Sequence, residues 1–284
     1  ERAGGQYYPK LQLAVPFTPV TGPRLLARDD EELEMNRELA LTGCIEVANQ
    51  LEVSSLHITF LTKNEWKQSG DSGLLQRTGE QFHWLNNGYT TFDDFLTDLN
   101  SRKRKQIRRE RREIHERSDL QVRVFTGHDL KEEHWDAFYG FYVDTSSQKW
   151  GQPYLNRQFF SLIGEKMAEK IALVMAIRDG NYIAGALNFI GSNTLYGRNW
   201  GCSEDHRFLH FEACYYQAIQ FAIEHGLNRV EAGAQGPHKL ARGYLPVHTY
   251  STHWIREPQF RDAIERYLLH ERRQVNEDIS CLAQ

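Results

Sequence analysis

A chain of 284 residues and 33.1 kDa has room for one large domain or two of ordinary size. With 40% hydrophobic, 25% charged and 12% aromatic residues it carries enough apolar surface to fold, and its net charge of -4 with a pI near 6.3 argues against a broad nucleic-acid groove. Uncharged stretches such as Leu11 to Gly22 and Ala186 to Gly197 contain Pro or Gly and do not make the roughly 20 apolar residues of a membrane-spanning helix, and the four cysteines (Cys44, Cys202, Cys214, Cys281) form no CxxC pair, so a cytoplasmic setting is expected.

The chain opens at Glu1 and runs at once into the aromatic and β-branched stretch Tyr7 to Val20, a start that reads as a cut through a domain, with further residues expected upstream. Lys10 to Val20 reads as extended, Glu31 to about Leu51 as a helix, Ser55 to Leu61 as a strand, and Leu74 to Trp84 as strand-like. Between Ser101 and Arg117 nine Lys and Arg stand against three Glu, with Ile107 and Ile114 the apolar positions. A helix there rests on a thin stripe and keeps a wet cationic face. Two readings stay open: a solvated helix with i,i+4 pairs such as Glu113 with Arg117, or a phosphate contact to RNA, a nucleotide or a lipid headgroup.

From Asp119 onward the pattern is clearer. Leu120 to Phe125 alternates as a strand, and Glu132 to Asp144 and Asn156 to Lys170 have helical spacing. Three strands follow, Ala172 to Ile177, Tyr182 to Ile190 and Thr194 to Trp200, split by the turn sequences Asp179-Gly180-Asn181 and Gly191-Ser192-Asn193. A helix from His206 to His225 ends at Gly226, Arg229 to Ala234 reads as a strand, Val247 to Ile255 alternates again, and Pro258 opens a last helix. This order predicts an α/β (α+β) mixed sheet with helices on both faces. At this point the chain resembles the GNAT acyl-CoA N-acyltransferase fold.

Particular strings narrow the resemblance: Tyr7-Tyr8-Pro9-Lys10-Leu11, the run Val15 to Gly22, Ser101 to Arg108, and Glu231-Ala232-Gly233-Ala234-Gln235-Gly236-Pro237-His238-Lys239. Together they look like the FemAB-like family of acyltransferases, which pairs two GNAT-like domains in tandem, and the similarity covers nearly the whole chain. The resemblance implies a partial first domain over 1–90, a basic helical connector over 91–118 and a complete second domain over 119–284. It also implies a cytoplasmic transferase related to peptidoglycan aminoacyl transferases, and it leaves the substrate open between a small molecule and a cell-wall precursor.

Period two places Tyr196, Arg198 and Trp200 on one face of their strand, and Glu231, Gly233 and Gln235 on one face of theirs. In the GNAT plan these neighbours splay to admit the acyl donor. A Glu and a Gln on a mostly buried strand must either satisfy internal partners or face a ligand. An amine nucleophile must lose a proton to attack a carbonyl, and a partly buried carboxylate with a raised pKa suits that task, so Glu231 is one candidate base. His238 competes with it, in a Gly-rich loop where Lys239 and Arg242 are placed to hold an anionic group, though such loops are also common as plain connections.

The Gly-rich CoA turn of GNAT enzymes is absent from this second domain. Gly201-Cys202-Ser203-Glu204-Asp205-His206-Arg207 stands in its place, and its acidic pair repels phosphate. No tightly bound cofactor is therefore expected. The co-substrate is an acyl-CoA or an aminoacyl-tRNA, with acetyl-CoA disfavoured and tRNA able to meet the basic helix at 101–117. Thr18, Thr21, Gly22 and Arg24 form a second phosphate candidate, where two prolines equally suit a bulged edge strand. Cys202, His206, His210 and Cys214 recur every four residues, but helix rise spreads them over roughly 18 Å, so no metal is expected, and Tyr215, Ile219 and Ala222 read as core. The aromatic set Trp135, Phe138, Tyr139, Phe141 and Tyr142 reads as packing, with Trp150 and Tyr154 placed to line a cleft. Two functions remain open: an N-acyl or aminoacyl transferase, or a non-catalytic module of the same fold that binds a nucleic acid, lipid or cell-wall precursor.

Overall fold

The computed structural model describes residues 8–149, 151–234 and 236–282. In chain order these form β1 (Leu11–Leu13), α1 (Leu33–Gln50), β2 (Ser55–Thr59), α2 (Lys63–Asp71), β3 (Leu75–Leu85), α3 (Phe92–Asp98), α4 (Ser101–His115), β4 (Leu120–Phe125), α5 (Glu132–Lys149) and α6 (Arg157–Met167). Then come β5 (Ile171–Arg178), β6 (Asn181–Ile190), β7 (Thr194–Cys202), α7 (Leu209–Phe211), a π-helical turn Glu212–Tyr216, α8 (Gln217–Glu224), β8 (Arg229–Glu231), a 3-10 helix Pro237–Arg242, β9 (Leu245–Ile255) and α9 (Pro258–Leu282). Among the described residues no helix is long and apolar enough to cross a membrane.

The chain divides into two compact units, one holding the residues up to Gln81 and those from Pro246 onward, the other Phe82–Leu245. This division differs from the 1–90, 91–118 and 119–284 expected from sequence. One cause is β3, whose last residues pair with β8 (His83 with Glu231, Leu85 with Arg229). Another is α4, which is no connector: Ile107, Glu110 and Ile114 are buried at i, i+3 and i+7. Two buried isoleucines supply only about 1.5–3 kcal/mol each. Polar ties add to them. Arg111 donates to Glu212 (3.3 Å) and Gln220 (2.7 Å), and His115 lies 2.9 Å from Glu212.

In the first unit the strands run in the order β1-β2-β9-β3, with β1 parallel and β9 antiparallel to β2. Leu41 and Ala48 of α1 pack on Leu56 and Ile58 of β2. The expected extended segment Lys10 to Val20 shrinks to three residues, because Pro16 and Pro19 cannot donate to a ladder and Phe17 takes a positive φ of 54°. Helices α2 and α3, unforeseen above, each open on a capping box, Thr62 with Glu65 and Thr91 with Asp94.

The second unit is a mixed sheet ordered β3-β8-β7-β6-β5-β4, antiparallel throughout except between β7 and β8. Period two sorts β5 between the faces. Ile171, Leu173 and Met175 pack with Trp135, Phe138 and Phe160 of α5 and α6, while Ala172, Val174 and Ala176 join clusters with Tyr216, Ala213 and Leu209. Strands β4 to β7 lie within two residues of their expected bounds. The expected helix from His206 to His225 starts late: Phe208 sits at φ 66°, α7 begins at Leu209, and the π turn follows. Cys202 and His206 are therefore off that helix. Among the described residues no cluster of three or more His, Cys, Asp or Glu could hold a metal ion.

Candidate active site

The parallel ladder between β7 and β8 pairs Thr194 with Arg229, Leu195 with Val230 and Tyr196 with Glu231, and there it ends. Strand β7 continues six residues further on β6 alone, while the other chain turns away through Gly233 at φ 76°. The divergence opens a cavity of about 150 Å³ bordered by Ala186, Asn188, Gly197 to Trp200, His210, Cys214, Tyr215 and Ala232.

A bulge in the β6–β7 pairing sets which side chains reach this cavity. Asn188 pairs with Gly197 and Leu187 with Asn199, so Arg198 is the extra residue. The strand changes phase there, and Tyr196 and Trp200 do not share a face as simple alternation predicts. Trp200 turns toward the α7 side, with its ring 5.2 Å from that of His210. Tyr196 instead crowds the space beside Gly191. Arg198, which borders the cavity, donates from its guanidinium to the Tyr154 hydroxyl at 2.7 Å; Tyr154 itself is not among the bordering residues. A Cβ on Gly197 would sit 3.3 Å from the Glu231 carbonyl, so glycine keeps the strands close where they part.

Asn188 is buried and spends its amide on the Ala172 and Ala186 carbonyls (3.1 and 3.3 Å), and the buried Asn199 Oδ1 has no hydrogen-bond partner among the described residues. The Tyr215 hydroxyl lies 2.9 Å from His238 Nε2. Burial, then the nearby Arg242 and Lys239 charges, pull the His238 pKa below its ordinary value, so the imidazole is neutral at pH 7 and able to take a proton. Burial raises the pKa of the Tyr215 phenol and the Cys214 thiol, so both stay protonated and Cys214 is no thiolate nucleophile. Tyr215 is not among the site residues expected from sequence, and His210 and Cys214 enter there only as metal candidates set aside; Tyr215 reads as core because it packs in the hydrophobic cluster with Tyr216 and Tyr244.

The whole chain, residues 1–284, matches the FemAB-like family, described as peptidoglycan biosynthesis/recognition. The chain belongs to the FemAB-like family. FemX shares the fold at a TM-score of 0.58 and 12% identity, over 89% of this chain and 85% of that one. L-PGS from Bacillus licheniformis matches at 0.57 and 11%, over 84% and 79%. The C-terminal domain of a putative lysylphosphatidylglycerol synthetase from Agrobacterium fabrum matches at 0.56 and 12%, over 84% and 78%. The mixed α/β fold is thus shared with FemX. Among curated proteins none matches the sequence.

Against this FemAB-like frame several expected site residues take other places. Glu231 projects to the face opposite the α7 side: Val230 and Ala232 pack with the core there, while the Glu231 carboxylate lies 3.4 Å from Arg229 and 3.8 Å from His83. It is 6% exposed, and burial raises its pKa while Arg229 opposes the rise. Lys239 is buried and donates to the Ala232 and Gly233 carbonyls (2.6 and 3.1 Å), so it pins the loop rather than reaching for an anion; burial lowers its pKa to about 8. Arg242 is buried on Glu110 (2.7 Å). Gln235 and Trp150 lie outside the described residues.

The Thr21, Gly22 and Arg24 phosphate candidate is turned inward. The Arg24 guanidinium donates to the carbonyls of Val20, Gly22, Pro23 and Thr59, and Gly22 N donates to Phe60 O at 3.0 Å, so these groups complete the backbone of the loop. After β7, Glu204 bridges Arg178 and His206 at 2.8 Å each, and the turn makes no glycine cradle. On α4 the expected Glu113 with Arg117 pair is replaced by Arg117 with Asp119 (2.6 Å) and Glu113 with Arg207 (3.9 Å). Arg102, Lys105, Arg109 and Arg112 stay exposed.

Proposed function

We propose that this FemAB-like chain is a cytoplasmic aminoacyl transferase that moves an aminoacyl group from tRNA to an amine of a peptidoglycan precursor. The observation that carries the reading is the opening where β7 and β8 part, with Tyr215 in its wall and the Tyr215 hydroxyl bonded to the neutral His238 imidazole behind it. The donor carbonyl enters between the strands near Gly197, and the acceptor amine approaches from the Tyr215 side. As the C–N bond forms and the ester C–O bond breaks, the amine proton passes through the Tyr215 hydroxyl to His238 Nε2, and returns to the leaving oxygen. The absence of a glycine cradle after β7, with Glu204 in its place, favours a tRNA ester over a CoA thioester. The family description and the likeness to FemX support the cell-wall setting.

The test is transfer of a radiolabelled aminoacyl group from mixed aminoacyl-tRNA, with acyl-CoA compounds as control, to peptidoglycan precursors, read by mass spectrometry. His238→Ala is expected to lower kcat by about 100-fold or more, while Glu231→Gln leaves it within about threefold, since its carboxylate is on the other face. Equal losses in both variants would reverse the assignment, and precursor binding without any product would favour the recognition module.

The exposed cations of α4 carry the tRNA part of the proposal. Replacing Arg102, Lys105 and Arg112 by Glu is expected to weaken tRNA binding by at least tenfold at low salt and to flatten its salt dependence. A wild-type affinity that does not change between 50 and 200 mM salt, in the range where phosphate contacts respond about 10³-fold or more, counts against tRNA at this helix.

A further inference from the structure

We propose that the buried Glu110–Arg242 pair is a positioning device that holds the His238 imidazole against the Tyr215 hydroxyl at the cavity wall. The inference deepens the proposed function and rests on its reading of His238 as proton acceptor.

Glu110 and Arg242 are both 2% exposed. Arg242 Nη2 donates to Glu110 Oε2 at 2.7 Å, and its Nη1 donates to the His238 carbonyl, also at 2.7 Å. The guanidinium carbon lies 3.4 Å from the centroid of the Phe211 ring, and that ring is 5.6 Å from His238. One side chain thus grips the backbone of His238 and backs the aromatic surface on which its imidazole rests. Glu110 in turn accepts from the Tyr216 hydroxyl and from Gln106 Nε2 (2.9 Å), so the carboxylate is fixed from its own helix and from the π turn that carries Tyr215.

Such a tether is needed here because the segment begins at Gly236 (φ 113°), where backbone freedom is large, and the 3-10 helix has no side-chain cap. A buried ion pair adds little over an apolar pair of the same size. What an apolar pair lacks is directed donors, and Arg242 aims them at a carboxylate on α4 and a carbonyl beside the imidazole. The charged or titratable groups around His238 are Arg242 and Lys239 on its own segment, and His210 and Tyr215 on α7 and the π turn, with Glu110 of α4 behind Arg242.

The experiment follows the His238 imidazole by ¹H–¹⁵N NMR titration in the full chain, compared with Glu110→Gln/Arg242→Met, which removes both charges and leaves no lone buried ion. Arg242→Lys, which keeps the charge and loses the forked geometry, is the second variant. In the double variant His238 is expected to titrate at higher pH and to lose the Nε2 shift due to Tyr215. In Arg242→Lys the Nε2 shift is lost with a smaller change in titration. Once an acceptor is known, kcat falls by about 100-fold with KM unchanged. A folded double variant, or a folded Arg242→Lys, whose His238 curve and ¹⁵N shifts overlay the wild type overturns the proposal. Lack of any transfer by the wild-type chain defeats the functional reading instead, and the imidazole spectra still decide the positioning.

Discussion

Replacing Glu65 by alanine is expected to destabilise the first unit by about 3–5 kcal/mol, measured as a lower urea midpoint at constant slope. Glu65 is fully buried, and its carboxylate is the acceptor for a whole corner of the chain. Oε1 takes the backbone N–H groups of Arg24 and Leu25 (2.8 Å each), and Oε2 takes Thr62 N at 2.9 Å and Thr62 Oγ1 at 2.7 Å. Burial pushes its pKa up, but the hydrogen bonds from Leu25, Thr62 and Arg24 outweigh it, and the group sits below its ordinary value. Its contribution is therefore complete above about pH 4.5 and is lost as pH falls through the lower, folded-state pKa. Alanine leaves three backbone donors and the Thr62 hydroxyl without their acceptor. A loss under about 1 kcal/mol would mean that water replaces the carboxylate at little cost.

That corner shows where sequence reasoning reaches its limit. Thr62 and Glu65 have the spacing of a capping box, a usable signal for α2, which was not among the elements expected from sequence, while Arg24 beside a glycine and threonines reads as a phosphate contact until its carbonyl acceptors are seen, three within four residues and one, Thr59, 35 residues away. Strands β4 to β7 were legible because their signals are local: alternation, and turns such as Asp179-Gly180, both at positive φ (48° and 82°). The bulge at Arg198 leaves no such mark. It moves Trp200 to the face opposite Tyr196, and the phase of a strand after a bulge follows from its partner strand. The same holds for Glu231: β8 ends there rather than at Ala234, and which face of β8 meets the cavity depends on where α7 packs. Glu110 had a usable signal, its i+3 spacing from Ile107 and i−4 spacing from Ile114, which puts a carboxylate on the buried stripe of a helix otherwise rich in cations.

Acid is expected to weaken the first unit well before its carboxylates titrate, because His57 and His253 face each other across β2 and β9 with Nδ1 atoms 2.8 Å apart. One nitrogen donates and the other accepts, so a proton on the acceptor sets two N–H groups against each other inside the sheet. His57 is also anchored to Ser55 through Nε2 (2.9 Å), and His253 Nε2 lies 3.4 Å from Ser251, so neither ring turns away freely. Burial, then the charges of His57 and Arg77, lower the His253 pKa to about 3, and burial followed by Lys10 lowers that of His57. Both folded-state values lie below the unfolded value of about 6.5. The stability they confer is thus full above pH 6.5 and declines as pH falls toward the folded values, by about 1.4 kcal/mol per pH unit for each proton the unfolded chain takes up and the folded chain refuses. Urea unfolding at steps from pH 7.5 to pH 4.5, followed by a probe within the first unit, should show this decline for the wild type. His253→Leu, which removes one of the two opposed nitrogens and leaves His57 on Ser55, should show a shallower slope by up to one proton. Superimposable slopes would assign the acid response to other groups and leave the histidine pair as packing alone.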